Sequence, residues 1–166
     1  MSNKNIEKED DFSFFKENKK PSKCLCGELD KIKLKNDDEF RDSLIITVDV
    51  DGVPCNLLVD TGSVINILSL PFAKKANMED KNIVHVKNLV GLTDKEDQFQ
   101  EAVGVECKLS LCNLELDKII FNISPEIHKI FEYAYNGKVD GIIGHETLEK
   151  INAIISYKDG FLYYSK

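Results

Sequence analysis

Leu57-Leu58-Val59-Asp60-Thr61-Gly62-Ser63 is an apolar run that ends in a carboxylate on a tight turn. Apolar residues dominate positions 55–59, and a second apolar run follows at 64–68. Each run reads as a strand, with Asp60 held on the turn between them. Placing a carboxylate between two buried strands costs free energy unless a neighbour shares its proton or its charge. The sequence has one Asp-Thr-Gly and no second Asp-Thr-Gly or Asp-Ser-Gly, so each chain brings one such acid.

The chain has 166 residues, enough for one domain with a real core and too few for two ordinary ones. A hydrophobic content of 42% with 8% aromatics fits a globular protein. The net charge of -7, with basic residues scattered among acids, argues against nucleic acid as a partner. Residues 1–20 hold no apolar run that would serve as a signal peptide core, and no later apolar stretch is long enough for a bilayer. The expected location is therefore cytoplasmic, without a membrane partner. Five cysteines, at 24, 26, 55, 107 and 112, are then expected as free thiols. Cys24 and Cys26 form a Cys-x-Cys pair, but no second pair or His cluster completes a four-ligand zinc site. No metal and no cofactor are expected.

Residues 1–42 are charged and polar and read as an N-terminal tail, largely disordered, with a short strand around Ile32 and Leu34. The packed domain is placed at 43–166. Within it, residues 44–50 and 53–59 flank Asp51-Gly52, a strong hairpin signal. Val84 and Val86 alternate with polar neighbours. Val103, Val105, Cys107, Leu109 and Leu111 alternate strictly, as in a half-buried strand, and 116–123 returns beside it. Ser124-Pro125 reads as a cap and first helical residue for a helix over 125–133, ended by Asn136-Gly137. Residues 71–76 read as a helical turn and 145–151 as a short helix. The strand 139–143 carries Gly144 at its tip, and 153–157 and 161–164 form a closing hairpin around Asp159-Gly160. Many short strands with little helix predict an all-β, barrel-like domain.

Two separated motifs, 57–63 and Asp140-Gly141-Ile142-Ile143-Gly144 with its following helix and hairpin, together resemble the retropepsin-like aspartic proteases of the single-lobe, cellular and bacterial type. The resemblance covers roughly residues 43–166. It implies a closed antiparallel β-barrel lobe with one or two short helices. It also implies an aspartic endopeptidase, formed as a homodimer, that hydrolyses an extended polypeptide substrate. Asp60 matches the catalytic acid. Thr61, Gly62 and Ser63 match the supporting turn, with the Thr61 hydroxyl bracing the partner loop. Ile142, Ile143 and Gly144 match the strand packed behind the loop. Val90, Gly91 and Leu92 match the shoulder of a flap spanning 87–99, although this flap has a single glycine. Residues 161–164 match a strand that often joins the subunits.

The chemistry explains the residue types. Water attacks the peptide carbonyl while one carboxylate removes its proton and a second, protonated, supplies one to the carbonyl oxygen. Two carboxylates close together share one proton, because both ionise together only at a cost. With one such acid per chain, the pair requires two chains about a two-fold axis. Viral members of the family carry an Asp shortly after the active-site turn and an Arg after the apolar-apolar-Gly motif. This chain has Val64, Ile65 and His145 instead, so the salt bridge that steadies many viral dimers is missing. A catalytically silent retropepsin-like dimerisation or peptide-binding module is the alternative reading. Asp140 is read as turn chemistry, and His85, His128 and His145 as surface residues without metal spacing. Cys55 lies in an apolar strand with no activating neighbour, and Tyr157, Tyr163 and Tyr164 are expected to pack in the closing hairpin.

Overall fold

Asp51 (φ 52°) and Gly52 (φ 79°) both take left-handed backbone and turn the chain between its first two long strands. This is the expected hairpin, and a turn of this hand matches the twist of the strands it joins. The computed structural model describes residues 30–33, 44–89 and 100–165. Within them the strands are β1 (Asp30–Lys33), β2 (Ile45–Val50), β3 (Val53–Val59), β4 (Asn66–Ser69), β5 (Ile83–Leu89), β6 (Gln100–Leu111), β7 (Leu114–Ser124), β8 (Gly141–Ile143), β9 (Ile154–Ser156) and β10 (Phe161–Tyr164). The helices are α1 (Leu70–Lys75), α2 (Ile127–Tyr135) and α3 (His145–Lys150), with a 3-10 turn at Met78–Asp80.

Six strands close into a barrel in the order β2-β3-β8-β4-β7-β6, with β6 returning to β2, and β5 lies outside along β6. The barrel is mixed. β8 runs parallel to β3, and β4 runs parallel to β7, while the remaining neighbours are antiparallel. The antiparallel lobe that the resemblance implied holds where hairpins join neighbours in sequence, since a hairpin imposes that direction. β8 arrives from a distant part of the chain, so no hairpin dictates its direction.

The Asp51 turn also seals the barrel. Its N–H donates to the Lys108 carbonyl and its Oδ1 accepts from the Lys108 N–H, both at 2.9 Å. Lys81 Nζ stands 2.9 Å from Asp51 Oδ2, so a partly screened ion pair covers the β2–β6 seam. Inside, one buried apolar cluster includes Val48, Cys55, Leu57, Leu109, Leu111 and Phe121. A second joins Ile45, Ile67, Leu89, Ala102, Ile142 and two residues of α2, Ile127 and Phe131. That second cluster lies against the strands that bear the candidate site.

The helices are short. Ser69 caps α1 by accepting from the Phe72 N–H at 3.3 Å, with Pro71 in the first turn. α2 starts later than the Ser124-Pro125 signal suggests. Ser124 is the last residue of β7 and fully buried, with its hydroxyl 3.4 Å from Gln100 Oε1, and the helix begins at Ile127 without a side-chain cap. It ends where expected, with Asn136 and Gly137 both left-handed. No helix among the described residues is long and apolar enough to cross a membrane.

The closing hairpin belongs to a separate three-stranded sheet, ordered β1-β10-β9. The strand expected near Ile32 is β1, and it pairs antiparallel with β10. Both edges of β10 are therefore occupied within one chain, which removes it as a place where a partner adds a strand. Tyr164 is fully buried and donates to the Leu111 carbonyl at 2.9 Å, whereas Tyr157 is exposed on the turn rather than packed.

Burial separates the thiols. Cys107 is pushed from its ordinary 9.0 up to about 12, first by burial and next by the Asp51 carboxylate. Burial likewise pushes Cys55 up, with Asp140 adding to it. Cys112 sits exposed on the β6–β7 turn. Mass-mapped alkylation at neutral pH should label Cys112 promptly and Cys55 and Cys107 only on unfolding. The folded chain keeps protons on the two buried thiols that the unfolded chain releases above pH 9. Stability measured by urea unfolding should therefore decline as pH rises from 9 towards 12, and less steeply in a Cys107→Ala variant.

Candidate active site

β3 delivers Asp60 to the end of the barrel, and β8 holds it there. Beyond the parallel pairing of Val59 with Ile143, the Asp60 N–H donates to the Ile143 carbonyl at 3.1 Å. The turn then folds onto the carboxylate. Asp60 Oδ1 accepts from the Gly62 N–H at 2.9 Å, and the Ser63 N–H donates to the Asp60 carbonyl at 3.2 Å. A Cβ on Gly62 would lie 3.2 Å from Oδ1, a tight contact that glycine avoids. Asp60 is half-buried, while Thr61 and Gly62 are exposed beside it.

Helix α3 is locked to the same loop. The first amides of a helix lack partners within it, and Gly144, at its N-cap, has no side chain to offer. Carbonyls of the Asp60 loop serve instead: the His145 N–H donates to Ser63 O at 2.7 Å, and the Glu146 N–H to Val64 O at 3.3 Å. The Ser63 hydroxyl donates to Ile65 O at 2.8 Å. Gly144 lies so close that a Cβ there would overlap the Ile65 carbonyl and come within 2.8 Å of Ser63 O. Gly141, at the other end of β8, would likewise overlap Ile67 O. The residues expected behind the loop, Ile142, Ile143 and Gly144, are thus buried and packed between β3 and β4.

Three polar residues complete the brace, and the sequence reading missed all of them. Asn66 is 2% exposed. Its Oδ1 accepts from the Gly144 N–H at 2.9 Å, and its Nδ2 donates to Thr147 Oγ1 at 2.7 Å and Ile120 O at 3.0 Å. Asn122 donates to the Asn66 carbonyl at 3.0 Å. The available signal was an asparagine inside the apolar run 64–68, which asks for buried partners. The strand itself begins at Asn66, so Val64 and Ile65 belong to the loop.

Asp140 is far from this loop, at the opposite end of β8. Its Oδ2 accepts from the Asn56 N–H at 2.8 Å, and its backbone bonds to Asn56 and Ser69. It is a strand clamp rather than the turn residue read from the sequence: the turn lies earlier, at Asn136 and Gly137, and the Asp140 carboxylate bonds a strand distant in sequence. His128 and His145 lie on helix surfaces near Glu132 and Glu149. His85, expected at the surface, is half-buried with its ring bonded to Asn122. Among the described residues no group of three or more His, Cys, Asp or Glu is arranged to hold a metal ion.

An open cleft of about 560 Å³ lies beside Asp60. Gly62, Ile67 and Ile142 line it on the loop side, and Lys87, Asn88 and Leu89 on the β5 side. The pairing of Leu89 with Gln100 makes β5 and β6 two arms of a hairpin. The connecting residues, including the expected flap positions Val90, Gly91 and Leu92, lie outside the described residues.

This barrel, with its acid-bearing loop backed by an inserted strand, is the retropepsin-like fold. The chain superimposes on a retropepsin-like aspartic protease from Rickettsia conorii with a TM-score of 0.53 at 17% identity, covering 82% of this chain and 91% of that one. It also matches the retroviral protease-like domain of Ddi1 from Leishmania major, with a TM-score of 0.52 at 17% identity, covering 74% and 87%. No family model matches the sequence, and no curated protein matches it.

Disturbing the brace should loosen the loop. Asn66→Ala strips partners from the Gly144 N–H and the Ile120 carbonyl, and should cost about 2–3 kcal/mol in urea unfolding. Gly144→Ala forces backbone apart and should cost about 1–3 kcal/mol by the same measurement. A Thr61→Ala control, at an exposed position, should leave monomer stability within about 0.5 kcal/mol.

Proposed function

We propose that this chain is an aspartic endopeptidase that works as a homodimer, each subunit supplying Asp60. The observation that carries the reading is the placement of Asp60. It is one half-buried carboxylate on a loop braced from two sides, beside exposed Thr61 and Gly62, at the edge of an open cleft. One carboxylate cannot act as base and acid in the same step. A second copy about a two-fold axis supplies the other, and the exposed Thr61 lies where it meets its counterpart. One Asp60 takes the proton of a bound water as that water attacks the peptide carbonyl. The other donates its proton to the carbonyl oxygen. On collapse the first Asp60 passes the proton it took from water to the departing amine nitrogen. The second recovers a proton from a hydroxyl of the tetrahedral species, leaving the carboxylic acid product and the shared-proton pair restored.

The cleft suits an extended polypeptide lying between the Asp60 loop and the β5 arm, its apolar side chains against Ile67, Leu89 and Ile142. With β10 enclosed, the edges of the three-stranded sheet are β1 and β9. β9 follows α3 directly, and its Ile154 is 54% exposed, while Val64, next to the Asp60 turn, is 71% exposed. On this reading the subunits meet along β9 and the Asp60 loops.

Asp60→Asn should lower kcat on a mixed peptide library by roughly 10³-fold or more while leaving the dimer intact by light scattering. Undiminished cleavage by that variant would sink the proposal. Activity per chain should fall on dilution as the dimer dissociates. Ile154→Lys should move that fall to higher protein concentration; if dilution never changes the activity per chain, the shared site is wrong.

A further inference from the structure

β5 forms one wall of the cleft, yet its backbone is paired along one side. It joins β6, with an irregularity between Ile83 and His85, and no described strand runs along its other edge. Ile83, Val84 and Val86 project into solvent rather than into a core. A strand held so lightly opens easily unless side chains fasten it.

His85 provides the fastening. In the pairing register it stands opposite Gly104 of β6, and Gly104 stands opposite Asn122 of β7. The imidazole lies over Gly104, where any Cβ would overlap the ring, and its Nε2 reaches Asn122 Oδ1 at 2.9 Å. Glycine inside a 12-residue strand weakens it, and here its bare backbone lets a side chain cross a whole strand. The proton can also be assigned. Asn122 Nδ2 donates to the Asn66 carbonyl, a pure acceptor, so Oδ1 faces the imidazole and Nε2 must carry the hydrogen. From Asn66 the chain of bonds continues to the Gly144 N–H and to Thr147, and so to the strand and helix that hold the Asp60 loop.

We propose that His85 is a positioning residue: through Asn122 and Asn66 it fixes the cleft wall of β5, with Lys87 and Leu89, at a set distance from the Asp60 loop. Its consequence for substrate rests on the endopeptidase reading; its consequence for β5 does not. His85→Phe keeps a ring over Gly104 and removes the donor, whereas His85→Gln retains an N–H that reaches the same oxygen. Nitrogen-15 NMR of the wild type, recorded where the His85 ring is neutral, should show its hydrogen on Nε2. The β5 amides should exchange about fivefold faster in His85→Phe, the factor that corresponds to one net hydrogen bond, and near the wild-type rate in His85→Gln. In peptide cleavage, His85→Phe should raise KM by a similar factor with kcat within about twofold, and His85→Gln should restore KM. A general loss of folded protein would lower apparent kcat and leave KM alone. A hydrogen on Nδ1 in the neutral ring, equal exchange in all three proteins, or an unchanged KM in an active His85→Phe enzyme would overturn the proposal. If the wild type cleaves no peptide, the endopeptidase reading fails, and the tautomer and the β5 exchange still decide whether His85 fastens the strand.

Discussion

The close approach of β8 to the Asp60 loop is the constraint on which the rest of the structure depends. Three residues, Gly141–Ile143, slide between β3 and β4 and join strands that lie next to each other in sequence but not in the barrel. Glycine at both ends makes this possible, since a Cβ at 141 or 144 would collide with carbonyl oxygens of the neighbouring strand or loop. Once β8 is in place, the Asp60 backbone has an acceptor, Asn66 has a donor to receive, and α3 begins where the loop carbonyls can cap it. Barrel closure and loop geometry are therefore one event. A chain that failed to insert β8 would leave the acid on an unsupported turn.

The loop is correspondingly stiff. Five of its backbone or side-chain oxygens, on Asp60, Ser63, Val64 and Ile65, accept hydrogen bonds within the loop or from α3. Buried Asn66 and Asn122 add bonds whose loss would strand buried partners, so the network resists partial opening. The cleft's other wall is built differently. β5 has exposed apolar side chains, one paired edge and a single described side-chain tie across Gly104. On the proposed reading, a rigid floor beside a lightly held wall suits a site that admits an extended polypeptide.

Much of this was legible in the sequence because it is written locally. The Asp51-Gly52 turn, the alternation from Val103 to Leu111, the stop at Asn136-Gly137 and the two motifs around Asp60 and Ile142 each depend on neighbouring residues. Parallel pairing of β8 with β3 was not legible, since nothing in a three-residue strand announces its partners. The Ser124-Pro125 signal misled for a related reason: Ser124 has the chemistry of a cap, but β7 runs on through it into a buried position. In β5 the valines of an alternating pattern face outward, and the half-buried position between them belongs to His85. Its partner lies two strands away, and the glycine that opens the path is 19 positions along the chain, beyond any local pattern.

A two-fold site makes a particular demand on such a fold. If the two carboxylates of the proposed pair come from separate chains, the uncertainty in each loop enters the distance between them, and a shared proton tolerates little of it. A two-lobed enzyme can distribute that demand over one covalent chain. A single lobe has to meet it inside each subunit, before the partner arrives. The features that carry the Asp60 loop fit that demand: an inserted strand behind it, a helix capped by its carbonyls, and an asparagine network beneath it. None of these needs a second chain to form. On the proposed reading, association then has little left to order in the loop itself, and its free energy goes into bringing two prepared halves together.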